Sequence, residues 1–322
     1  MFPLTRLQQY RLQILLLLFA YFLATSSSSF SQSISLLQAV KTNDLKAAKE
    51  LLDAGADPNI IDADGDPLLL NAALYSSPQL MELLLAKGAN PNAKNKDGET
   101  ALMWSVHDMD KLKLLLKKGA DVNAKAKSGN TALLIASVGS DQYKTVKLLM
   151  DYGADAMLKN ERRENALMRA ALFGDTATLV LLAKAGNEID AVDSTGLTPL
   201  LNAIFNVNRT ATKWLLQNGA NADKVAAFGL TAVTAVVTYN DLPSVTAVLE
   251  KAKNINTVDA LGISALMWAA YNEHDNPAII QALIDKGADV NIKTKNGETA
   301  LSWALKKGNN KTVAILKKAG AQ

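Results

Sequence analysis

The sequence predicts an all-α solenoid of about nine helix–turn–helix units joined by hairpin-like loops. Three observations carry this expectation. Helix-ending glycines fall at Gly55, Gly88, Gly119, Gly153, Gly186, Gly219, Gly287 and Gly320, with Ala252 in phase, in steps of 33, 31, 34, 33, 33, 33, 35 and 33 residues. A second glycine follows ten residues later at Gly65, Gly98, Gly129, Gly196, Gly229, Gly262 and Gly297, with Arg163 in that phase. Each unit also offers two apolar stretches too short to bury their own faces, and stacked copies share one core.

The first 31 residues stand apart. Arg6 and Arg11 are their only charges, an apolar run fills residues 14–24, and small polar residues follow. A basic start, a short apolar stretch and small residues behind it form the pattern of a secretory signal. Cleavage after Ser26 or after Ser31 fits the small-x-small rule, leaving residues 32–322 as the repeat domain. An uncleaved membrane anchor is the alternative. The apolar run would reach only about 16 Å as a helix against ~30 Å of hydrocarbon.

One unit shows the logic of the rest. Residues 100–106 open a short helix with Thr100 as N-cap candidate, and residues 107–111 turn the chain. Leu112, Leu114, Leu115 and Leu116 then line a second helix that stops at Gly119, where a left-handed cap is cheap for glycine. Polar residues from Asn123 to Gly129 make the hairpin. Recurrent acids at Asp57, Asp121, Asp155 and Asp289 fit turn positions. Polar residues in the first unit and Lys306, Lys307, Lys311, Lys317 and Lys318 in the last fit solvated ends of a stack.

The 33-residue period, Gly-Ala-Asp-Val-Asn at 119–123 and 287–291, Asp-Gly-Glu-Thr-Ala-Leu at 97–102 and Thr-Pro-Leu at 198–200 resemble ankyrin repeats over about 34–322. The resemblance implies a concave face made of hairpin tips and first-helix surface, used for binding. The family's histidine after Thr-Pro-Leu is replaced by Leu70, Met103, Leu134, Met168, Leu201, Thr234, Met267 and Ser302. Packing must then replace its hydrogen bonds. Arg163 and Ala252, in place of glycines, imply strain or an altered turn at their hairpins.

Catalytic chemistry finds little support. There are no cysteines, so disulfides and thiolate metal sites are excluded. The two histidines, His107 and His274, fall in units too far apart for one metal or one acid–base pair. No nucleophile elbow, phosphate loop or His-Glu-x-x-His motif occurs. Glu273-His274-Asp275 is the one dense titratable cluster, in an interhelical loop that runs longer than its counterparts. It reads as an exposed charged loop, or as a pH-sensitive or metal-touching contact. Trp104, Trp268 and Trp303 share one phase of the first helix and read as core or half-buried groove wall. Trp214 reads as packing between repeats.

Two features stand out as binding candidates. Lys94 and Lys96, Lys125 and Lys127, and Lys159, Arg162 and Arg163 occupy three successive hairpin tips. Lys293 and Lys295 repeat the pattern later. Such tips can steer an acidic partner or be ordinary solvated turns. Along the ends of the first helices, four successive units place Phe173, Phe205, Tyr239 and Tyr271, which can anchor a partner or turn inward and fill the stack. The net charge of +3 does not call for nucleic acid. The expectation is a periplasmic or secreted monomer, non-catalytic and without cofactor or metal, binding a partner protein, an acidic one where the basic tips take part. An N-terminally anchored scaffold and a hydrolase or small-ligand-binding protein with an irregular site are the alternatives.

Overall fold

The computed structural model describes residues 32–139, 142–239 and 241–322, and the expected signal segment lies outside these. The chain forms two units, one ending at Lys127 and one spanning Ser128–Gln322. Both are helical, and among the described residues strand pairing is limited to three isolated bridges at hairpin bases.

The first unit holds α1 (32–41), α2 (Leu45–Asp53), α3 (Leu68–Tyr75), α4 (Pro78–Ala86), α5 (Ala101–Trp104) and α6 (Met109–Lys117). First helices α3 and α5 pack together, and second helices α2, α4 and α6 form a second row. The second unit repeats the plan. Its first helices are α7 (Ala132–Ala136), α9 (Ala166–Phe173), α11 (Pro199–Phe205), α13 (Ala232–Val236), α15 (Ala265–Tyr271) and α17 (Ala300–Lys307). Its second helices are α8 (Tyr143–Asp151), α10 (Thr176–Lys184), α12 (Arg209–Gln217), α14 (Leu242–Lys251), α16 (Pro277–Asp285) and α18 (Asn310–Lys318). Each helix packs on its counterpart in the next repeat.

The core follows the apolar phase. Leu102, Leu133, Leu167, Leu200, Val233 and Leu266 are buried on the first helices, and Leu84, Leu115, Leu149, Leu182, Leu215, Val248 and Leu283 on the second. Each such burial contributes roughly 1.5–3 kcal/mol. The substituted histidine positions are also buried, Ser302 excepted. Apolar packing therefore replaces the ring at six of them. At Thr234 and Ser302 a hydroxyl accepts the N-cap backbone N–H and completes a capping box.

Side-chain caps start the first helices of the second unit. Thr131, Asn165, Thr198, Thr231, Ser264 and Thr299 each accept the N–H three residues on. Thr100 does not: its hydroxyl is buried without a hydrogen-bond partner, and α5 stops at Trp104. The second helix of that repeat begins earlier than its leucines suggest. Asp108 accepts the N–H groups of Asp110 and Lys111, so the helix opens at Met109 within the expected loop.

The joints keep one geometry. The helix-ending glycines hold φ between 82° and 96°, and the second glycines between 75° and 90°. Arg163 keeps that turn at φ 62°, a left-handed conformation costly for a side-chain-bearing residue. Ala252 does not: at φ −67° it leaves the left-handed cap, and α14 runs to ten residues. The recurrent acids make short turns, with Asp57, Asp121, Asp155 and Asp289 each accepting the N–H two residues on.

Candidate functional site

Two ladders align the hairpins within each unit. In the first, an asparagine four residues past the helix-ending glycine reaches the next joint. Asn92 Nδ2 donates to the Gly119 carbonyl at 3.1 Å while its Oδ1 accepts the Asp121 N–H. Asn59, Asn256 and Asn291 do the same. Met157 stands at this position in the fifth repeat and has no amide to offer. In the second ladder, backbone joins neighbouring tips. Ser194, Ala227, Ala260 and Lys295 donate their N–H groups to Arg162, Thr195, Phe228 and Leu261. The tips thereby form a row at fixed spacing.

Of the lysines and arginines expected on the three successive tips, Lys159 is half-buried and the other six are exposed, but these divide between the two units. Lys94, Lys96, Lys125 and Lys127 lie in the first and Arg162 and Arg163 in the second. Lys94 Nζ donates to the Lys125 carbonyl at 3.3 Å. Among the described residues no ion pair involves any of these six.

The four aromatics all lie in the second unit; Phe173, Phe205 and Tyr271 end α9, α11 and α15, and Tyr239 ends the 3-10 turn that follows α13. Phe173 is 53% exposed and Tyr239 and Tyr271 are each 42% exposed, while Phe205 is half-buried. Phe205 and Tyr239 meet edge-on at 6.3 Å. Tyr271 meets Trp303 edge-on at 5.4 Å, and Trp303 meets Trp268 at 6.1 Å. Trp268 and Trp303 are half-buried groove wall, whereas Trp104 is exposed and donates its ring N–H to Glu99. Lys307 lies over the Tyr271 ring at 5.1 Å.

Sequence reasoning missed the apolar tips. Phe228 is 84% exposed at φ 60°, and Leu261 on the next tip is 63% exposed, with Val225 and Val258 beside them. Their signal was in the sequence: apolar residues at positions where other hairpins carry polar or charged ones. The intact glycines at 229 and 262 concealed it.

The titratable cluster divides by role. His274 is exposed and Glu273 pairs loosely with Lys307 at 3.7 Å. Asp275 caps the neighbouring helix α18, accepting the N–H groups of Lys311 and Thr312 and the Thr312 hydroxyl. Burial raises its carboxyl pKa, but these hydrogen bonds and the charge of Lys311 outweigh burial and hold it below the ordinary value. Asp241 is likewise held low: burial opposes, while hydrogen bonds from Arg209 and Ser244 and the Arg209 charge prevail. Among the described residues no cluster of three or more potential metal ligands forms, and no helix is long and apolar enough to cross a membrane.

Comparison with known proteins agrees with this architecture. The family model for ankyrin repeats matches residues 36–126, 69–160, 133–226 and 232–322. The ankyrin repeat protein YahD of Escherichia coli (strain K12) is 27% identical over 180 residues, which cover 55% of this chain and 90% of YahD. Ankyrin repeat protein OPG189 of Variola virus is 32% identical over 161 residues, 47% of this chain and 28% of that protein. Ankyrin repeat and KH domain-containing protein mask-1 of Caenorhabditis elegans is 28% identical over 293 residues, 89% of this chain but 10% of that protein. Period, joint geometry, stacked helix pairs and these matches together place the chain in the ankyrin-repeat family, as a module for protein–protein interaction.

Proposed function

We propose that this chain is a non-catalytic binding protein of the cell envelope or of the secreted fraction, exported with cleavage after Ser26 or Ser31 and working as a monomer. It recognises a partner protein through the surface formed by the ends of the first helices, with Phe173, Phe205, Tyr239 and Tyr271 as anchors. Lys94, Lys96, Lys125, Lys127, Arg162 and Arg163 favour an acidic partner. The observation that supports this most is the exposure of Phe173, Tyr239 and Tyr271. Aromatic rings standing in solvent along a rigid row supply contact area at little entropic cost on binding.

The test is capture from an envelope extract by the mature chain and by a variant with all four aromatics changed to alanine. The reading requires that specific partners be lost from the variant while its circular dichroism stays helical. Unchanged capture by a folded variant excludes the groove. Raising ionic strength should slow association, and indifference to salt removes the tip cations from the account. The intact mass of the exported chain reports the processing: a start at Ser27 or Gln32 supports export, and a retained Met1 favours the membrane-anchored scaffold.

A further inference from the structure

The second unit presents two parallel rows, and both change character in the same direction. Along the tips, Phe228 and Leu261 each stand one residue before the turn glycine, and on the third tip Asn296 takes that place with the exposed Lys295 before it; Ala260 and Lys295 donate backbone N–H groups to the preceding tip at 2.8 and 3.5 Å. Along the helix ends the order is Tyr239, Tyr271, Lys307. Each row begins in exposed apolar or aromatic surface and ends, two repeats later, in a cation.

Two joined clefts follow, the first between the Phe228 tip and the helix ends and the second along the helix ends alone. The first is walled by Phe205, Phe228, Leu230, Ala235 and Trp268. Its one carboxylate, Asp259, spends an oxygen on the N–H groups of Leu261 and Ile263 within its own turn. The second is walled by Tyr239, Trp268 and Tyr271 and bordered by Glu273, His274 and Lys307. Trp268 and Thr238 line both, so they are neighbouring compartments of one groove.

The cation in the second cleft is prepared for an anion. The Lys307 side chain is 29% exposed, with its ammonium over the Tyr271 ring. Its acidic neighbour Glu273 is 84% exposed and 3.7 Å away, a contact that a better-placed carboxylate can replace at little cost. The ring holds the ammonium in place, so less freedom is lost when a carboxylate arrives. Phe228 points to the same use from the other end. A bulky residue at positive φ costs roughly 1–2 kcal/mol, and the cost here places a ring in solvent at the mouth of an apolar cleft.

We infer that this groove takes a linear segment of a partner protein with a fixed polarity: large apolar side chains in the Phe205–Phe228–Trp268 cleft, followed by carboxylates against Lys307 and Lys295. This deepens the proposed binding function and rests on it. It moves the determinants of specificity away from the basic tips of the earlier repeats. The segment's charge is fixed by the lysines, and its direction by the shared order of the two rows.

A display library of random linear peptides, selected on the mature chain, tests this. The expected peptides carry a large apolar residue and an aspartate or glutamate at one separation and in one order. A synthetic consensus peptide should quench the fluorescence of Trp268 and Trp303. Phe228→Gly removes the ring while suiting the backbone, and should weaken the consensus peptide by about tenfold or more. Lys295→Glu, at an exposed tip, combined with Lys307→Gln should remove the acidic preference of the selected pool. Lys295→Glu alone keeps the test valid if the double variant loses helicity. No enrichment, enrichment without a fixed apolar-to-acidic order, or binding indifferent to both changes overturns the inference. Peptides that depend on Phe173 and Tyr239 but not on Phe228, Lys295 or Lys307 overturn it while leaving the broader binding function intact.

Discussion

Arg163 occupies a left-handed backbone position that glycine fills in seven other joints. Relieving it should be measurable. Arg163→Gly is expected to raise unfolding free energy by about 0.5–1 kcal/mol, the conformational gain less the added freedom of the unfolded chain. Chemical denaturation of the second unit checks this. The reverse change at Gly129 should be severe, because an added Cβ would lie 2.7 Å from the Glu161 nitrogen as well as at positive φ. Gly129→Ala is expected to cost about 2 kcal/mol or more. Asp275 gives a pH prediction. Its carboxyl is held below 3.8 by the cap it makes, so its stabilisation is complete above that value and lost as pH falls through the lower folded value. Wild type and Asp275→Ala should therefore differ in melting temperature at neutral pH and converge in strong acid. The departure at Arg163 was legible because it broke a periodic glycine. The equal departure at Phe228 was not, since its own glycine at 229 stayed in register.

Helices and joints were legible to different degrees. The sequence places the start of α6 late because buried leucines mark the first inward-facing residue, whereas the helix begins at its cap. Asp108 precedes Leu112 by a full turn. The asparagine ladder was only half visible. Asn123 was placed in a hairpin, but the reach of such residues to the next repeat is tertiary and leaves no mark in a single unit. The ladder can be measured at its intact and broken positions. Asn256→Ala, which loses bonds to Gly287 and Asp289, is expected to cost about 1 kcal/mol. Met157→Asn installs the missing amide and should add about 0.5–1 kcal/mol, with slower hydrogen exchange at the joint after Gly186. An unchanged exchange rate there would show that the new amide stays in water.

In each unit, stability is a sum over repeats and the contacts between neighbours. A cavity in one repeat should therefore be felt locally. Leu266→Ala, at a fully buried position of α15, is expected to cost about 2–5 kcal/mol. Hydrogen exchange should accelerate first in α13 and α17, which pack against it, and last in α7. The architecture was legible at this scale because a repeat states its instructions many times, and errors in one copy are outvoted. The proposed binding face was less so: exposure of Phe173, Tyr239 and Tyr271, and of Phe228 and Leu261 on the tips, depends on which way each side chain leaves its own helix or turn. The constant ten-residue joint carries a last consequence, for the gene rather than the fold. Unequal crossing-over between two copies can add or delete a whole unit without shifting any hairpin relative to its helices, and the differences in length between units fall outside the joint, as in the long loop at 272–276. A lineage can thus lengthen or shorten its row of contact residues in single heritable steps, and test new partners without first redesigning the scaffold.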